Sequence, residues 1–339
     1  MSAPPLAERR GTHQPRPASG ARRRRALPQL QLLALVTVAA VLLRPVLAPA
    51  LTSRAFQNAA TVFTAVVVQA LPFLALGVSV SGLIAAFVSP AALARVLPRN
   101  PALAVPVAGL AGAALPGCEC GSVPIASRLM ERGVHPSAAI AFLLSAPAIN
   151  PVVLVATAVA FPAAPRMVLA RGVASLAVSV VTGLLWLRLG KATWLSRARA
   201  PRPPSATRLA TFTDTALHDF LQAGGFLVIG GSTAAALQTL VPRRLLDTVA
   251  GSGLSAVIVL ASLAVVLAIC SEADAFVAAS LTSFSLTSRL VFLVVGPAVD
   301  VKLVALQAGT FGRAFTARFA PLVFLVAVAC ACLTGWVLL

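Results

Sequence analysis

A chain of 339 residues that is 59% hydrophobic and 11% charged, with a mean hydropathy of +0.93, is excluded from the soluble globular class, because such a domain must clothe its surface in polar groups. Lipid is the solvent for most of it. The formal net charge of +18 would suggest nucleic acid in a soluble protein, but the arginines fall in blocks between apolar runs and the chain has no Tyr, so they read as cytoplasmic topology signals.

The first 28 residues are rich in Pro and Arg, end in Arg22-Arg23-Arg24-Arg25, and read as a disordered basic cytoplasmic tail. Residues 29–55 follow as an N-terminal signal-anchor helix. The small residues at Leu47-Ala48-Pro49-Ala50 admit a cleavable signal peptide, but the basic region is too long and the apolar run 30–47 is close to spanning length. Further apolar stretches cover 59–88, 101–117, 137–161, 167–189, 216–240, 252–270, 290–306 and 319–338. The informative ones are interrupted. Pro116, Gly117, Gly121 and Pro124 bracket Cys118-Glu119-Cys120, and Pro147 and Pro151 break the next stretch. Gly296 and Pro297 do the same in the second half. Broken helices free backbone N–H and C=O groups that hydrocarbon does not tolerate, so these segments are expected inside protein or along a polar cavity.

An internal repeat organises the chain. Gln69-Ala70, Phe73-Leu74 and Gly77 recur 153 residues on as Gln222-Ala223, Phe226-Leu227 and Gly230. Phe142-Leu143 with Pro147-Ala148-Ile149-Asn150 recurs 150 residues on as Phe292-Leu293 with Pro297-Ala298-Val299-Asp300, and Cys120 falls on Cys270. Placing all four basic clusters in the cytoplasm (the tail, Arg95/Arg99, 188–208 and Arg313/Arg318) makes 101–130 a re-entrant hairpin. The predicted fold is therefore an all-α polytopic membrane protein of two inverted repeats, each of three spans and a re-entrant broken helix. The repeats cover 56–189 and 216–339, joined by a basic cytoplasmic linker at 190–215. With the signal anchor this makes seven spans and two re-entrant elements; eight or nine spans is the alternative.

Intramembrane carboxylates are functional candidates by default, and Glu119, Glu272, Asp274 and Asp300 lie at the broken segments. Asp300 could instead pair with Lys302 or with Arg128 of the other half. Cys118 and Cys120 flank Glu119, and Cys270 stands beside Glu272. Cys-x-Cys alone is weak, since cysteine is often a buried small hydrophobe, but three thiols at related breaks suit a soft ion or a trivalent metalloid. Deprotonation on ligation would let Glu119, Glu272 and Asp274 couple binding to proton flux. Asn150 and Asp300 occupy matching points and could offer half-helix termini to a solute; Asn150 could equally cap the helix that opens at Pro151. Cys330 and Cys332 sit in an unbroken apolar run and read as packing, and His135 as an interfacial residue. A membrane thiol–disulfide carrier and a non-transporting scaffold are the rival readings. No nucleotide motif, enzyme active site, cofactor or nucleic-acid partner is read from the chain.

Pro116-Gly117-Cys118-Glu119-Cys120-Gly121-Ser122-Val123-Pro124-Ile125-Ala126, with Arg128, Arg132-Gly133-Val134, Ala139 to Leu144 and Ala146-Pro147-Ala148-Ile149-Asn150-Pro151, resembles a bacterial predicted-permease family once classed as a domain of unknown function. The likeness runs from about Phe56 to Leu338. Better-known members are efflux permeases for trivalent organoarsenicals, and the Cys-Glu-Cys-Gly form resembles an uncharacterised branch. The resemblance implies a multi-pass inner-membrane permease with Cys118 and Cys120 at the solute site. It also implies a second small membrane subunit as partner, beside the lipid and the small solute.

Overall fold

Four stretches of the chain, residues 53–115, 119–190, 207–240 and 253–339, are described by the computed structural model, and all their regular structure is helical. The expected basic tail, most of the signal anchor, Pro116, Gly117, Cys118 and the greater part of the linker lie outside these residues. Described residues 58–339 form one body.

Helix starts follow local capping chemistry. After the long helix α1 (Arg54–Phe87), α2 (Pro90–Val96) opens on Ser89, and α3 (Pro101–Ala111) on Asn100, whose Oδ1 accepts from the Ala102 N–H at 3.0 Å. Helix α4 (Glu119–Glu131) ends at Gly133, which takes a φ of +92°, and α5 (Pro136–Ser145) opens on His135. In α6 (Pro151–Ala160) the Asn150 side chain caps the Val153 N–H at 3.0 Å. Each of these starts pairs a capping side chain with a proline at the first helical position, where a missing N–H costs nothing. Helix α7 (Arg166–Leu189) completes the first half.

The second half comprises α8 (Arg208–Leu240), α9 (Gly253–Leu267), α10 (Asp274–Ser280), α11 (Leu286–Ala298), α12 (Val301–Thr310) and α13 (Arg313–Leu338). Helix α8 begins inside the stretch read as linker. Five helical segments among the described residues are long and apolar enough to cross a membrane. Of these, Leu286–Thr310, which joins α11 and α12 across their break, is 83% buried while the other four are 33–44% buried. It is the central segment, and the others face outward.

Two of the expected breaks are not breaks. Gly121 and Pro124 lie within α4. Gly121 serves close packing: a Cβ on Gly77 of α1 would lie 2.3 Å from the Gly121 Cα, so Gly77 admits no side chain, and a Cβ on Gly121 would press on the Phe73 carbonyl at 3.0 Å. Pro124 has no N–H to give the Cys120 carbonyl, yet the helix continues through it, held by its packing on α5 and α12. Gly296 and Pro297 form the last turn of α11, and the interruption falls one residue later, between Ala298 and Val301. Pro147 and Pro151 are where expected, in the turn after α5 and at the first position of α6. The second-half break at 268–273 begins with Ala268, held at a φ of +47°.

Two pairs of long helices, one member from each half, run against one another. Phe63 and Val66 of α1 meet Gly231 of α8, Phe212 covers Gly82, and the Arg208 guanidinium stands 6.0 Å from the Phe87 ring centroid, so α1 and α8 are antiparallel. Trp186, in the last turn of α7, meets Phe315 and Phe319 in the first two turns of α13 at centroid distances of 5.0 and 5.6 Å, so this pair is antiparallel too. Pro98 and Pro101 before and at the start of α3, and Met130 and Gly133 at the end of α4, line one cavity: the α3–α4 hairpin returns to the face from which it entered.

Candidate functional site

The outside of the body is apolar and its inside carries charge. Val68, Leu217, Leu221 and Leu325 are more than 60% exposed, whereas Arg171 and Asp300 have no exposed surface and Glu119 has 1%. A chain solvated by lipid shows this inversion, and in it every interior charge needs a partner.

The principal cluster forms where α4 and α12 meet side by side at their N-terminal turns. The Lys302 Nζ stands 2.5 Å from Glu119 Oε1 and 3.5 Å from Asp300 Oδ2, with all three side chains at most 3% exposed. Asp300 also caps α12, accepting from the Leu303 N–H at 2.5 Å, which fixes its carboxylate beside the lysine. Gly230 lets α8 lie directly on this turn, since a Cβ there would come within 2.7 Å of the Lys302 Cα. Both Cys120 and Cys270 are within electrostatic range of the Lys302 ammonium. Cys270 donates to Glu272 Oε2 at 2.9 Å. Thus Glu119 and Cys120 of the first half, and Cys270, Glu272 and Asp300 of the second, are drawn to one centre.

Asp274 belongs to a second cluster. It pairs with Arg171 of α7 at 2.9 Å, and the same guanidinium donates to the Thr157 hydroxyl at 2.8 Å and the Ser271 carbonyl at 3.0 Å. Asn150 is held by its own surroundings: besides capping α6 it donates to the Ala146 carbonyl at 3.0 Å. Arg171 Nε, Ser175 Oγ, Thr182 Oγ1 and Ser271 Oγ are buried without a protein partner among the described residues, and internal water is the usual companion of such atoms.

Arg128 does not reach Asp300. Its guanidinium donates to both carboxylate oxygens of Asp219 on α8, at 2.9 and 3.1 Å, and to Glu131, while the Ser81 hydroxyl of α1 donates to Asp219 at 2.7 Å. Arg128 lies nine residues beyond Glu119, about 14 Å along α4, too far from the Lys302 end to take part there. Lys302, Arg171 and Asp219 are the site residues that carboxylate-at-a-break reasoning passes over. Lys302 enters only as a neighbour of Asp300, and Arg171 is a bare charge inside the apolar run 167–189, which is the signal that could have found it. Among the described residues no three metal-ligating side chains form a group; Cys118 lies outside them.

These features define a multi-pass helical membrane protein with a buried polar centre, the architecture of a solute-conducting protein. Residues 55–336 match the family model described as "Predicted permease". The chain belongs to this predicted permease family. It is 39% identical over 262 residues to the UPF0718 protein YcgR of Bacillus subtilis (strain 168), covering 75% of this chain and 89% of that one. It is 32% identical over 266 residues to a Streptococcus mutans protein described as "Putative two-component membrane permease complex subunit", covering 76% and 88%. No solved structure matches the chain.

Proposed function

We propose that this protein is a secondary permease of the inner membrane that exports a small thiol-seeking solute, a trivalent metalloid or a soft metal ion, through the centre where its two halves meet. The observation that carries the reading is the buried Lys302–Glu119–Asp300 cluster, which draws on both halves and has Cys120 and Cys270 in range. Polarizable sulfur suits such solutes, and Cys118, beside Glu119 in sequence, supplies a further thiol. Binding to thiolates releases protons; Glu119, Glu272 and Asp274 are the carboxylates proposed to carry them, which would link export to the proton gradient. The interrupted segments at Pro147 and Pro297, with Asn150 and Asp300 beside them, are proposed as the remaining wall of the site.

The antiparallel pairs α1/α8 and α7/α13 support two inverted repeats, because repeat-related helices then point oppositely across the bilayer. The basic clusters favour a cytoplasmic N-terminus. The name of the Streptococcus relative favours a second membrane subunit as partner.

The test is a sensitivity panel on a deletion strain with trivalent arsenicals and antimonials, copper, silver and cadmium. The strain should accumulate the true solute, and Cys120→Ser should restore neither export nor resistance; undiminished export by that variant removes the thiol mechanism. Thiol labelling in membranes separates this from a redox carrier, since binding thiols stay reduced and a pair that cycles with redox state would favour the carrier.

A further inference from the structure

The cavity that joins the two ends of the α3–α4 hairpin has a volume of about 450 Å³, within the range of small-molecule sites. Its lining has two kinds of chemistry. Leu93 of α2 and Leu97, which caps that helix, stand with Met130 and Val134 as an apolar wall, while Arg99 arrives from just before α3 and Arg132 from just after α4. Val96 and Leu103, next in sequence to the lining residues Leu97 and Ala104, are 75% and 58% exposed, so the cavity borders the lipid-facing surface. Arg95, exposed on α2, lies outside the lining.

The cavity is positive. Among the described residues no carboxylate lines it, and neither Arg99 nor Arg132 has a carboxylate partner. The carboxylate next in sequence, Glu131, is engaged by Arg128 and lines a different cavity. Arg132 is steadied by the Ala85 carbonyl of α1, which accepts from its Nη2 and leaves the charge uncompensated. Helix dipoles do not alter the sign, because the C-terminal ends of α2 and α4 and the N-terminal ends of α3 and α5 border the same space and oppose one another. His135 is occupied in capping α5 through Nδ1. Two guanidinium groups lining one space repel each other until an anion stands between them, and their planar forks match the oxygens of a phosphate. The basic clusters favour the cytoplasm for this end, where the membrane surface carries anionic headgroups.

We propose that this cavity binds one anionic phospholipid of the cytoplasmic leaflet, with its phosphate on Arg99 and Arg132 and its first chain carbons against Leu93, Leu97, Met130 and Val134. A soluble phosphate would satisfy the arginines and leave the apolar wall in water, whereas a lipid uses both parts of the lining. The bound lipid ties the entrance of the α3–α4 hairpin to its exit, and does so whatever solute the permease carries.

The full-length chain, purified in a neutral detergent, is titrated with phosphatidylglycerol or with phosphatidylcholine of the same acyl chains, and bound lipid is counted by native mass spectrometry. The first phosphatidylglycerol should bind about twentyfold more tightly than the first phosphatidylcholine. Arg99→Gln and Arg132→Gln should each cost about fivefold, the order expected for one arginine against an anionic headgroup, and the double variant should bind the two lipids alike. Arg99 is exposed and bonds to no other described residue, so its variant keeps the fold even if Arg132→Gln does not. Arg95→Gln, which removes the same charge from the same end but outside the cavity, should leave the preference unchanged. Glycerol 1-phosphate, a headgroup without chains, should not displace the lipid at equal concentration. Equal binding of the two lipids to the unaltered chain overturns the proposal, as does an undiminished preference in Arg99→Gln. A loss in Arg95→Gln as large as in Arg99→Gln overturns it in favour of diffuse surface attraction, and displacement by glycerol 1-phosphate in favour of a soluble-anion site.

Discussion

Arg171 shows what a single buried residue can demand. Its guanidinium is fully enclosed and depends on Asp274, Thr157 and the Ser271 carbonyl for its neutralisation. Removing one partner of such a pair costs about 3–5 kcal/mol, because the other charge is left buried and alone, whereas replacing both with apolar groups of similar volume is often nearly neutral. Asp274→Asn is therefore expected to lower thermal unfolding in detergent sharply, and the double variant Arg171→Met, Asp274→Leu to recover most of the loss. If the double variant regains stability without regaining export, the pair serves transport rather than folding. At this scale the sequence is legible only in part. The cost of a charge in lipid singles out Glu119, Asp274 and Asp300, yet it applies equally to cations, and Lys302 and Arg171 complete the clusters those carboxylates belong to. Which cation serves which anion is a matter of tertiary geometry: Arg128 takes Asp219 because α4 carries it away from the end where Lys302 sits.

Among the elements, capped prolines are the clearest signals, and Ser89-Pro90, Asn100-Pro101, His135-Pro136 and Asn150-Pro151 each open a helix as their chemistry dictates. The prolines and glycines within helices are harder to read, because the same residue type can end a helix or let two of them touch. Gly121 and Gly77 do the latter. Gly77→Ala would set its Cβ 2.3 Å from the Gly121 Cα and push α1 off α4, at about 1–3 kcal/mol as an overpacking change. Gly225→Ala is the control, since nothing lies within 4 Å of the added methyl. Thermal unfolding should separate the two, with Gly77→Ala lowered and Gly225→Ala unchanged or slightly raised, and equal effects would refute close packing as the role of Gly77.

For the whole molecule, periodicity, interruption and charge blocks were enough to expect an all-helical multi-pass protein, because those features follow from the solvent. Crossing directions follow less directly. If the halves are inverted, sandwich insertions of a topology reporter after Pro98 and after Gly312 should report cytoplasm, and one after Ala163 the opposite side. A reading of Pro98 and Ala163 on the same side would defeat the inverted arrangement. The contacts between halves are reciprocal. Helix α4 of the first is tied to Asp219 and Lys302 of the second, and α10 of the second to Arg171 of the first.

That reciprocity has a temporal side. Arg171 leaves the ribosome 103 residues ahead of Asp274, an interval of roughly 5–20 s at a synthesis rate of about 5–20 residues per second. Glu119 waits longer still for Lys302. During biogenesis the leading portion thus resides in the insertion machinery before the final partners of Glu119 and Arg171 exist, and whatever shelters those two groups there decides whether the nascent protein survives to assemble.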